Sequence, residues 1–237
     1  MAPDRLLFRQ LLAGRDFAID DAMARSMANY SYLIADRETG EALVVDPAYR
    51  PLEILELAGR EGLRVVGVVA THYHPDHIGG SLAGRSIAGI VELLGAGAVP
   101  VHAQEAEVSW IVASTGVGAS DVVAHQPGER ISVGALEVTL IHAPGHSEGS
   151  QCLLVEDRLL TGDVLFLAGC GRTDLPGSDP AQMYETLTRR LAAVPASTWV
   201  YAGHAYDAAA TDTWAHVRET NPVLAPTTPA QWLAAFA

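Results

Sequence analysis

The sequence predicts an α+β fold in which helices pack on the outside of two β-sheets. Three observations support this prediction. Strand-length apolar segments alternate with segments of helical periodicity along the 237 residues. Several neighbouring strand segments are close enough along the chain for antiparallel pairing. Apolar residues make up 49% of the chain and charged residues 18%, so the chain can bury a large core.

The N-terminal part of the chain predicts a meander of strands followed by a helix and a further strand. Strand character is found in residues 5–12, 29–36, 42–45 and 65–70. Pro51 can begin a helix, since apolar residues recur after it at helical spacing and Gly62 can end it. The last of these strands is almost continuously apolar and leads directly into a loop that contains three histidines.

The rest of the chain predicts further strands and helices in alternation. Residues 81–125 are rich in Gly and Ala, and short helices are predicted around 86–94 and 105–113. Further strands are predicted at residues 131–133, 136–142, 151–155, 159–161 and 199–202, and further helices at residues 180–191, 207–219 and 229–236. We expect one domain over residues 1–237, in which residues 81–125 form a lid or a wall of the substrate site.

The charge of the chain limits the partners that it can bind. Its net charge is −13, with 28 acidic and 15 basic residues, and such a surface repels nucleic acid and anionic lipid. No apolar run approaches the roughly 20 residues that span a bilayer, and the N-terminus lacks the apolar region of a signal peptide. Cys152 and Cys170 form no disulfide framework. We therefore expect a soluble cytoplasmic protein that binds neither nucleic acid nor membranes.

The strongest chemical signal is the pattern H-x-H-x-D-H at residues 72–77, directly after an apolar strand. Imidazole nitrogens and carboxylate oxygens are ligands of zinc and iron(II). In a tight loop, His72 and His74 could face one side while Asp76 and His77 face the other, so that one loop serves two metals. A polar surface loop is the alternative interpretation, but three of the nine histidines of the chain lie in these six residues.

Three further candidate ligands share one sequence context. Each lies just past an apolar strand and directly after a glycine, which allows the backbone to turn sharply. These candidates are His146, Asp163 and His204. Each of them alone would more often be a structural residue, but one edge of a two-sheet fold can bring all of them to the same loop. No role as a ligand is assigned to the remaining histidines, which are His102, His125, His142 and His216.

In this order, the residues resemble the metallo-β-lactamase superfamily, and Asp46 matches a structural motif residue of that superfamily. The resemblance covers about residues 28–222. It implies a four-layer αβ/βα sandwich of two mixed β-sheets flanked by helices, with the metals at one edge. It also implies that His72, His74 and His146 bind a first metal, that Asp76, His77 and His204 bind a second, and that Asp163 bridges the two. We expect two Zn²⁺ ions, or one Fe²⁺ ion in the alternative, and Asp76 could also orient the nucleophile.

Within the superfamily, the chain most resembles the glyoxalase II and persulfide dioxygenase group. The resemblance rests on residues 8–11, 169–174, 201 and 218–222. It implies that Tyr201 and Arg218 contact glutathione, because an arginine fork suits a carboxylate. Arg172 is a third substrate-binding candidate, although a role in bracing the site suits it better. A solvated helix residue is the alternative interpretation of Arg218.

The ligand residues and the resemblance together imply four functions, and the substrate classes rest on the resemblance alone. We expect a hydrolase that uses a metal-bound hydroxide on a thioester such as an acylglutathione. The first alternative is an iron(II) persulfide dioxygenase that acts on glutathione persulfide, in which His72, His146 and Asp163 form a two-histidine, one-carboxylate set. The others are a lactone hydrolase and a non-catalytic metal-binding protein. The tail with Trp232 and Phe236 could pack on its own domain or form a homodimer.

Overall fold

The fold is built on two six-stranded β-sheets that pack face to face. The computed structural model describes residues 5–97 and 99–236 of the chain. In chain order, the strands in these residues are β1 (Leu6–Leu12), β2 (Tyr30–Asp36), β3 (Glu41–Val45), β4 (Arg64–Val69), β5 (Gly80–Leu82), β6 (Arg85–Ile87), β7 (Val101–Gln104), β8 (Val122–His125), β9 (Arg130–Val133), β10 (Leu136–His142), β11 (Gln151–Val155), β12 (Arg158–Gly162), β13 (Trp199–Ala202) and β14 (Asp212–Thr213).

Both sheets are mixed. The first has the order β1-β2-β3-β4-β7-β8, with antiparallel pairing as far as β3 and parallel pairing from β3 to β8. The second has the order β14-β13-β12-β11-β10-β9 and is antiparallel except between β12 and β13. The short hairpin β5-β6 lies outside both sheets.

The helices cover the outer faces of the sheets. In the described residues the α-helices are α1 (Ala22–Met27), α2 (Pro51–Arg60), α3 (Pro75–Ile78), α4 (Ile90–Ala96), α5 (Val108–Thr115), α6 (Pro180–Glu185), α7 (Trp214–Thr220) and α8 (Pro229–Phe236). A π-helical turn, Thr186–Arg190, continues α6, and short 3₁₀ turns lie at Glu105–Glu107, Ala119–Asp121, Leu191–Ala193 and Pro222–Leu224. None of the helices in the part of the chain that the structure describes could cross a membrane.

The alternation of side chains along the strands produces the four layers. In β2, Tyr32 and Ile34 point into the core between the sheets, whereas Leu33 points to the opposite face and packs with α2. In the second sheet, Leu160 faces the central core, while its neighbour Leu159 packs under the C-terminal helices. The order of layers is therefore helices, sheet, sheet, helices, as the resemblance implied.

Most elements lie where the sequence predicted them, but two helices differ. The helix predicted from residue 86 begins only at Ile90, because the residues before it form the hairpin strand β6. The helix predicted from residue 207 begins at Trp214, because β14 pairs with β13 and Thr213 caps the helix. The sequence analysis also missed α1, the hairpin, β7 and β8.

The C-terminal tail packs on its own domain. Trp232 is fully buried among the outer helices, and its indole N–H donates a hydrogen bond to the carbonyl of Val223 at 2.9 Å. Leu233 and Phe236 pack against the same cluster. The tail thus packs within its own domain, and a homodimer stays a prediction.

Candidate metal centre

The seven predicted ligand residues converge at one edge of the sandwich, although they come from four distant stretches of the chain. Strand β4 ends at Val69 and leads into the loop with His72 and His74, and the one-turn helix α3 carries Asp76 and His77. The others follow the ends of β10, β12 and β13 and are His146, Asp163 and His204. The candidate ligands follow strand ends in the sequence because strands of both sheets end at this edge of the sandwich.

Three imidazoles form the first group of candidate ligands. Nδ1 of His74 lies 3.0 Å from Nε2 of His72 and 3.0 Å from Nε2 of His146. Ring nitrogens held about 2 Å from one zinc ion lie roughly 3 Å apart, so this spacing suits a common cation. The three ring nitrogens therefore lie close enough together to share one cation.

The second group consists of Asp76, His77 and His204. Nε2 of His77 lies 3.2 Å from Nε2 of His204, which is 3.5 Å from Oδ2 of Asp76. The amide of Asn29 donates to the same Asp76 oxygen at 3.0 Å and accepts from the hydroxyl of Tyr49 at 3.0 Å. Sequence analysis gave no role to Asn29, which precedes β2 and has no motif around it.

Asp163 lies between the two groups. Its Oδ1 is 3.3 Å from Nε2 of His77, and its Oδ2 is 3.3 Å from Nε2 of His204 and 3.7 Å from Nε2 of His146. The buried Oδ1 has no donor in hydrogen-bonding geometry among the described residues. An unpartnered buried carboxylate oxygen is costly, and a cation would satisfy it. The nitrogen and oxygen donors and this oxygen fit a dinuclear transition-metal site.

The electrostatics of the site are those of tightly packed, oppositely charged ligands. Burial lowers the pKa of His72 well below its usual value, and the neighbouring imidazoles lower it further, which favours the neutral, ligating form. Burial also disfavours the charged form of His77, but the carboxylates of Asp163 and Asp76 outweigh burial and raise its pKa. Burial would raise the pKa of Asp163, yet His204 and His77 hold it well below its usual range.

Hydrogen bonds behind the histidines determine which ring nitrogen faces the site. Asp46 accepts from the hydroxyl of Thr71 at 2.6 Å and from the backbone N–H of Thr71 at 2.8 Å. Its Oδ2 also lies 3.0 Å from Nδ1 of His77, which leaves Nε2 of that ring for a metal. Nδ1 of His146 donates to the carbonyl of Arg172 at 2.8 Å, with the same consequence.

A buried carboxylate, Glu107, joins two of the ligand loops. Its Oε1 accepts from the backbone N–H of Tyr73 at 2.8 Å and from the hydroxyl of Ser147 at 2.7 Å, and its Oε2 accepts from the N–H of Gly149 at 2.7 Å. Burial raises the pKa of Glu107 even though these hydrogen bonds oppose the shift. Glu107 thus holds the loop of His72 against the loop that follows β10, and sequence analysis missed it.

Two glycines allow the backbone to approach the ligands. A Cβ at Gly203 would lie 2.4 Å from Oδ1 of Asp163. A Cβ at Gly171 would lie 1.9 Å from the carbonyl oxygen of Asp163 and 2.7 Å from Nδ1 of His146. Only glycine fits at either position, because real side chains do not tolerate such contacts.

A cavity of about 780 Å³ opens directly onto the candidate ligands. His74, Asp76 and His204 lie at its floor, and most of its remaining lining is apolar or aromatic. Residues 81–125 contribute Leu82 and Trp110 to its walls. The size and lining are those of a small-molecule site.

The structure places the three predicted substrate-binding residues differently. Arg172 lines the cavity, but its guanidinium binds both carboxylate oxygens of Asp174 at 2.9 Å. Tyr201 packs against Phe8 in the core between the sheets, with ring centroids 4.7 Å apart, and is not part of the cavity lining. Arg218 lies outside the cavity lining as well.

The positions of Tyr201 and Arg218 have simple structural causes. Tyr201 belongs to β13, where Val200 points to the outer helices and Tyr201 therefore points between the sheets. Arg218 is an exposed residue of α7, in the outer helical layer, and lies over the ring of Trp214 at 5.9 Å. The solvated-helix interpretation of Arg218 agrees with this position.

The profile of the "Metallo-beta-lactamase superfamily" matches residues 26–204, which include the whole candidate centre. The chain belongs to the metallo-β-lactamase superfamily. The resemblance found in the sequence is thereby confirmed, together with the fold class that it implied.

Individual relatives place this superfamily member beside the group that the sequence suggested. It is 32% identical over 185 residues to the cytoplasmic hydroxyacylglutathione hydrolase of Arabidopsis thaliana, covering 75% of this chain and 64% of that enzyme. It is 30% identical over 204 residues to the mitochondrial persulfide dioxygenase ETHE1 of Bos taurus, covering 82% of this chain and 71% of that one. The chain thus spans somewhat less than two thirds of the plant relative.

A solved structure agrees with both comparisons. The crystal structure of ETHE1 from Myxococcus xanthus superimposes with a TM-score of 0.76 at 29% identity, and the match covers 96% of this chain and 88% of that one. The superfamily member described here is thus similar to proteins named for two different chemistries.

Proposed function

We propose that this protein is a metal-dependent hydrolase that cleaves an acyl thioester. The observation that carries the proposal is the pair of three-residue ligand groups, which share Asp163 between them and open onto one cavity. The similarity to hydroxyacylglutathione hydrolase supports a thioester as the bond that is cleaved. We further propose that the centre holds two zinc ions.

The residues of the site would have different roles in such a hydrolysis. His72, His74 and His146 would hold one ion, and the other group would hold the second. Bound zinc polarises a carbonyl and lowers the pKa of water to about 7. Asp76 lines the cavity, where its carboxylate can orient an attacking water, and Asn29 fixes that carboxylate from behind. The apolar cavity walls limit the access of bulk water to the reacting bond.

A second candidate function is persulfide oxygenation with one iron ion. Two observations favour it. Nε2 of His146 lies 3.7 Å from Oδ2 of Asp163, and His72 forms one candidate group with His74 and His146 and another with His77 and Asp163, which supports a two-histidine, one-carboxylate set. The bovine relative and the structural neighbour both carry the name ETHE1.

Metal analysis and two assays separate these functions. Protein purified without added metal is analysed for zinc and iron, and portions loaded with either metal are tested for hydrolysis of S-lactoylglutathione and S-acetyl-N-acetylcysteamine. Oxygen uptake with glutathione persulfide is measured in parallel. About two zinc ions per chain with thioester hydrolysis support the proposal. About one iron per chain with oxygen uptake and no hydrolysis would replace it by the dioxygenase.

The same assays include a lactone as a substrate, which tests the third function expected from the sequence. If the protein binds metal but converts none of these substrates, the result would support the fourth expectation, a non-catalytic metal-binding protein. A cytoplasmic location is part of the proposal, supported by two cysteines that are both free thiols.

A further inference from the structure

The walls of the cavity above the metal centre are apolar and aromatic. They include Tyr73, Leu82, Trp110, Phe166, Leu175 and Pro176. These side chains come from the ligand loop, from residues 81–125 and from the loop that follows β12. A substrate that binds here must bring an apolar surface of its own, because only such a surface gains from contact with these walls.

Two aromatic rings in this wall are held rigidly. Tyr73 and Trp110 are stacked, with centroids 5.0 Å apart and an interplanar angle of 26°. The hydroxyl of Tyr73 donates to the carbonyl of Pro176 at 2.7 Å, and the indole N–H of Trp110 donates to the carboxylate of Glu148 at 3.3 Å. Because both polar groups are already bonded to the protein, the rings offer the substrate mainly apolar surface.

Apart from the metal ions proposed above, the side chains that line the cavity offer little positive charge to the distant carboxylates of an anionic substrate. Every one of the 15 basic residues of the chain is an arginine. Of those in the described ranges, Arg172 alone lines the cavity, and its guanidinium is bound to Asp174. Glutathione conjugates carry two carboxylates and one ammonium group, so they are net anions that would meet a chain of net charge −13 and the nearby carboxylate of Glu148. Unpaired carboxylates are costly to take from water into such a site.

We infer that the substrate is an uncharged thioester with a large apolar acyl group, which packs against Trp110 and Tyr73 while its carbonyl lies over the metal centre. This inference rests on the proposed thioester hydrolysis and narrows it to a substrate class. It also assigns residues 81–125 a role, since Trp110 and Leu82 form the wall that contacts the acyl group.

Binding of two matched thioethers tests this inference without any turnover. S-octyl-N-acetylcysteamine and S-octylglutathione carry the same alkyl chain, but only the second carries charges. Calorimetric titration of the metal-loaded protein should give a Kd at least about tenfold lower for the uncharged compound. Equal binding, or tighter binding of S-octylglutathione, overturns the inference while thioester hydrolysis stands.

Hydrolysis of an acyl series provides the second arm. S-acyl-N-acetylcysteamines with acetyl, butanoyl, hexanoyl and octanoyl groups should show kcat/KM rising roughly threefold for each methylene that enters the cavity. Trp110→Ala should flatten this rise and lower kcat/KM for the octanoyl substrate by about tenfold, whereas Trp110→Phe should retain most of it. A rise that is absent in the unmodified protein, or unchanged in Trp110→Ala, contradicts the inference.

A matched control uses Trp199, which is 41% exposed on β13 and is not part of the cavity lining. Trp199→Ala should leave the dependence on acyl length unchanged, and circular dichroism checks that each variant is folded. If neither the S-acyl-N-acetylcysteamines nor S-lactoylglutathione is hydrolysed by protein with bound metal, the proposed function itself fails. In that case the thioether titration still decides which ligands the cavity prefers.

Discussion

The carboxylate of Glu107 accepts the backbone N–H of Tyr73 at 2.8 Å, in the loop between His72 and His74. The same carboxylate accepts the hydroxyl of Ser147, which follows His146. Glu107 therefore connects the loop that carries His72 and His74 to the loop that carries His146. It helps to position all three imidazoles of the first ligand group. Residues that orient ligands in this way commonly affect metal affinity.

Glu107→Gln should weaken metal binding by about 10–100-fold, as is typical of partners behind the ligands. Both oxygens of Glu107 accept hydrogen bonds, so the amide nitrogen of glutamine would face a donor in either orientation. Competition with a chelator measures the affinity. Glu105→Gln is the control, since Glu105 is exposed and its carboxylate accepts a hydrogen bond from the side chain of Gln126 at the surface. Equal affinities in the two variants would contradict the positioning role.

Asp163→Asn should reduce metal binding at both ligand groups, because the carboxylate faces both. His74→Ala should affect only the first group and leave about one ion per chain. Metal analysis after dialysis compares the two variants, with exposed Asp157→Asn as the control. Both variants should lose more than about 100-fold in activity, which is the upper end of the effect typical of residues that only orient metal ligands. A normal metal content in Asp163→Asn would show that this residue does not bridge.

Cys170 should behave as a protonated thiol and not as a nucleophile. Burial raises its pKa to about 11, so the reactive thiolate is scarce near neutral pH and increases as the pH rises towards that value. Alkylation by iodoacetamide, followed by mass spectrometry, should be slow at pH 7.5 and faster at pH 9.5. Cys152 is fully buried and should stay unlabelled in the folded protein. Cys170→Ser should retain activity within about tenfold, and an acyl adduct on Cys170 would contradict this prediction.

Asp36→Asn should lower the melting temperature at neutral pH, and the difference from the unmodified protein should shrink in acid. The guanidinium of Arg5 and the backbone N–H of Ala135, in the turn between β9 and β10, hold the pKa of Asp36 well below its usual range. The contribution of this carboxylate to the free energy of unfolding is therefore fully present above the pKa of about 4 that Asp36 has in the unfolded chain. It is lost progressively as the pH falls from that value towards the lower pKa of the folded state.

Thermal unfolding followed at several pH values between 3 and 7 checks this prediction for Asp36. Glu137→Gln, which removes an exposed ion pair with Arg130, is the control and should change little. A difference in melting temperature between the Asp36→Asn variant and the unmodified protein that does not depend on pH would contradict the assigned role.

The ligand-bearing loops were predictable because a local pattern marks them. Strands β4, β12 and β13 are apolar, and each ends shortly before a histidine or aspartate. The sequence shows where an apolar strand ends, and in two of these cases a glycine marks the end. Because the ends of neighbouring strands lie close together at one edge of a sheet, the residues that follow them are expected to be close in space. The positions of His72, Asp163 and His204 at one edge follow from this pattern.

The supporting residues could not be found in the same way. Glu107 looks like a surface residue in the sequence, and it is buried only because its turn docks against two loops that are distant along the chain. Tyr201 was linked to the substrate because its position resembles that of a glutathione-contacting tyrosine in the glyoxalase II and persulfide dioxygenase group. Its side chain is directed by the alternation along β13, which turns it towards Phe8. Both cases depend on long-range packing that no local pattern encodes.

The candidate ligands are divided between the halves of the chain, since residues 72–77 follow strand β4 of the first sheet while His146, Asp163 and His204 follow strands of the second. Neither half can complete either three-residue group without the other. A nascent chain could therefore complete the first group only after residue 146 has emerged, and the second only after residue 204 has emerged. Each ion would then link residues from both sheets, so metal binding would occur only in a chain whose two sheets have packed together.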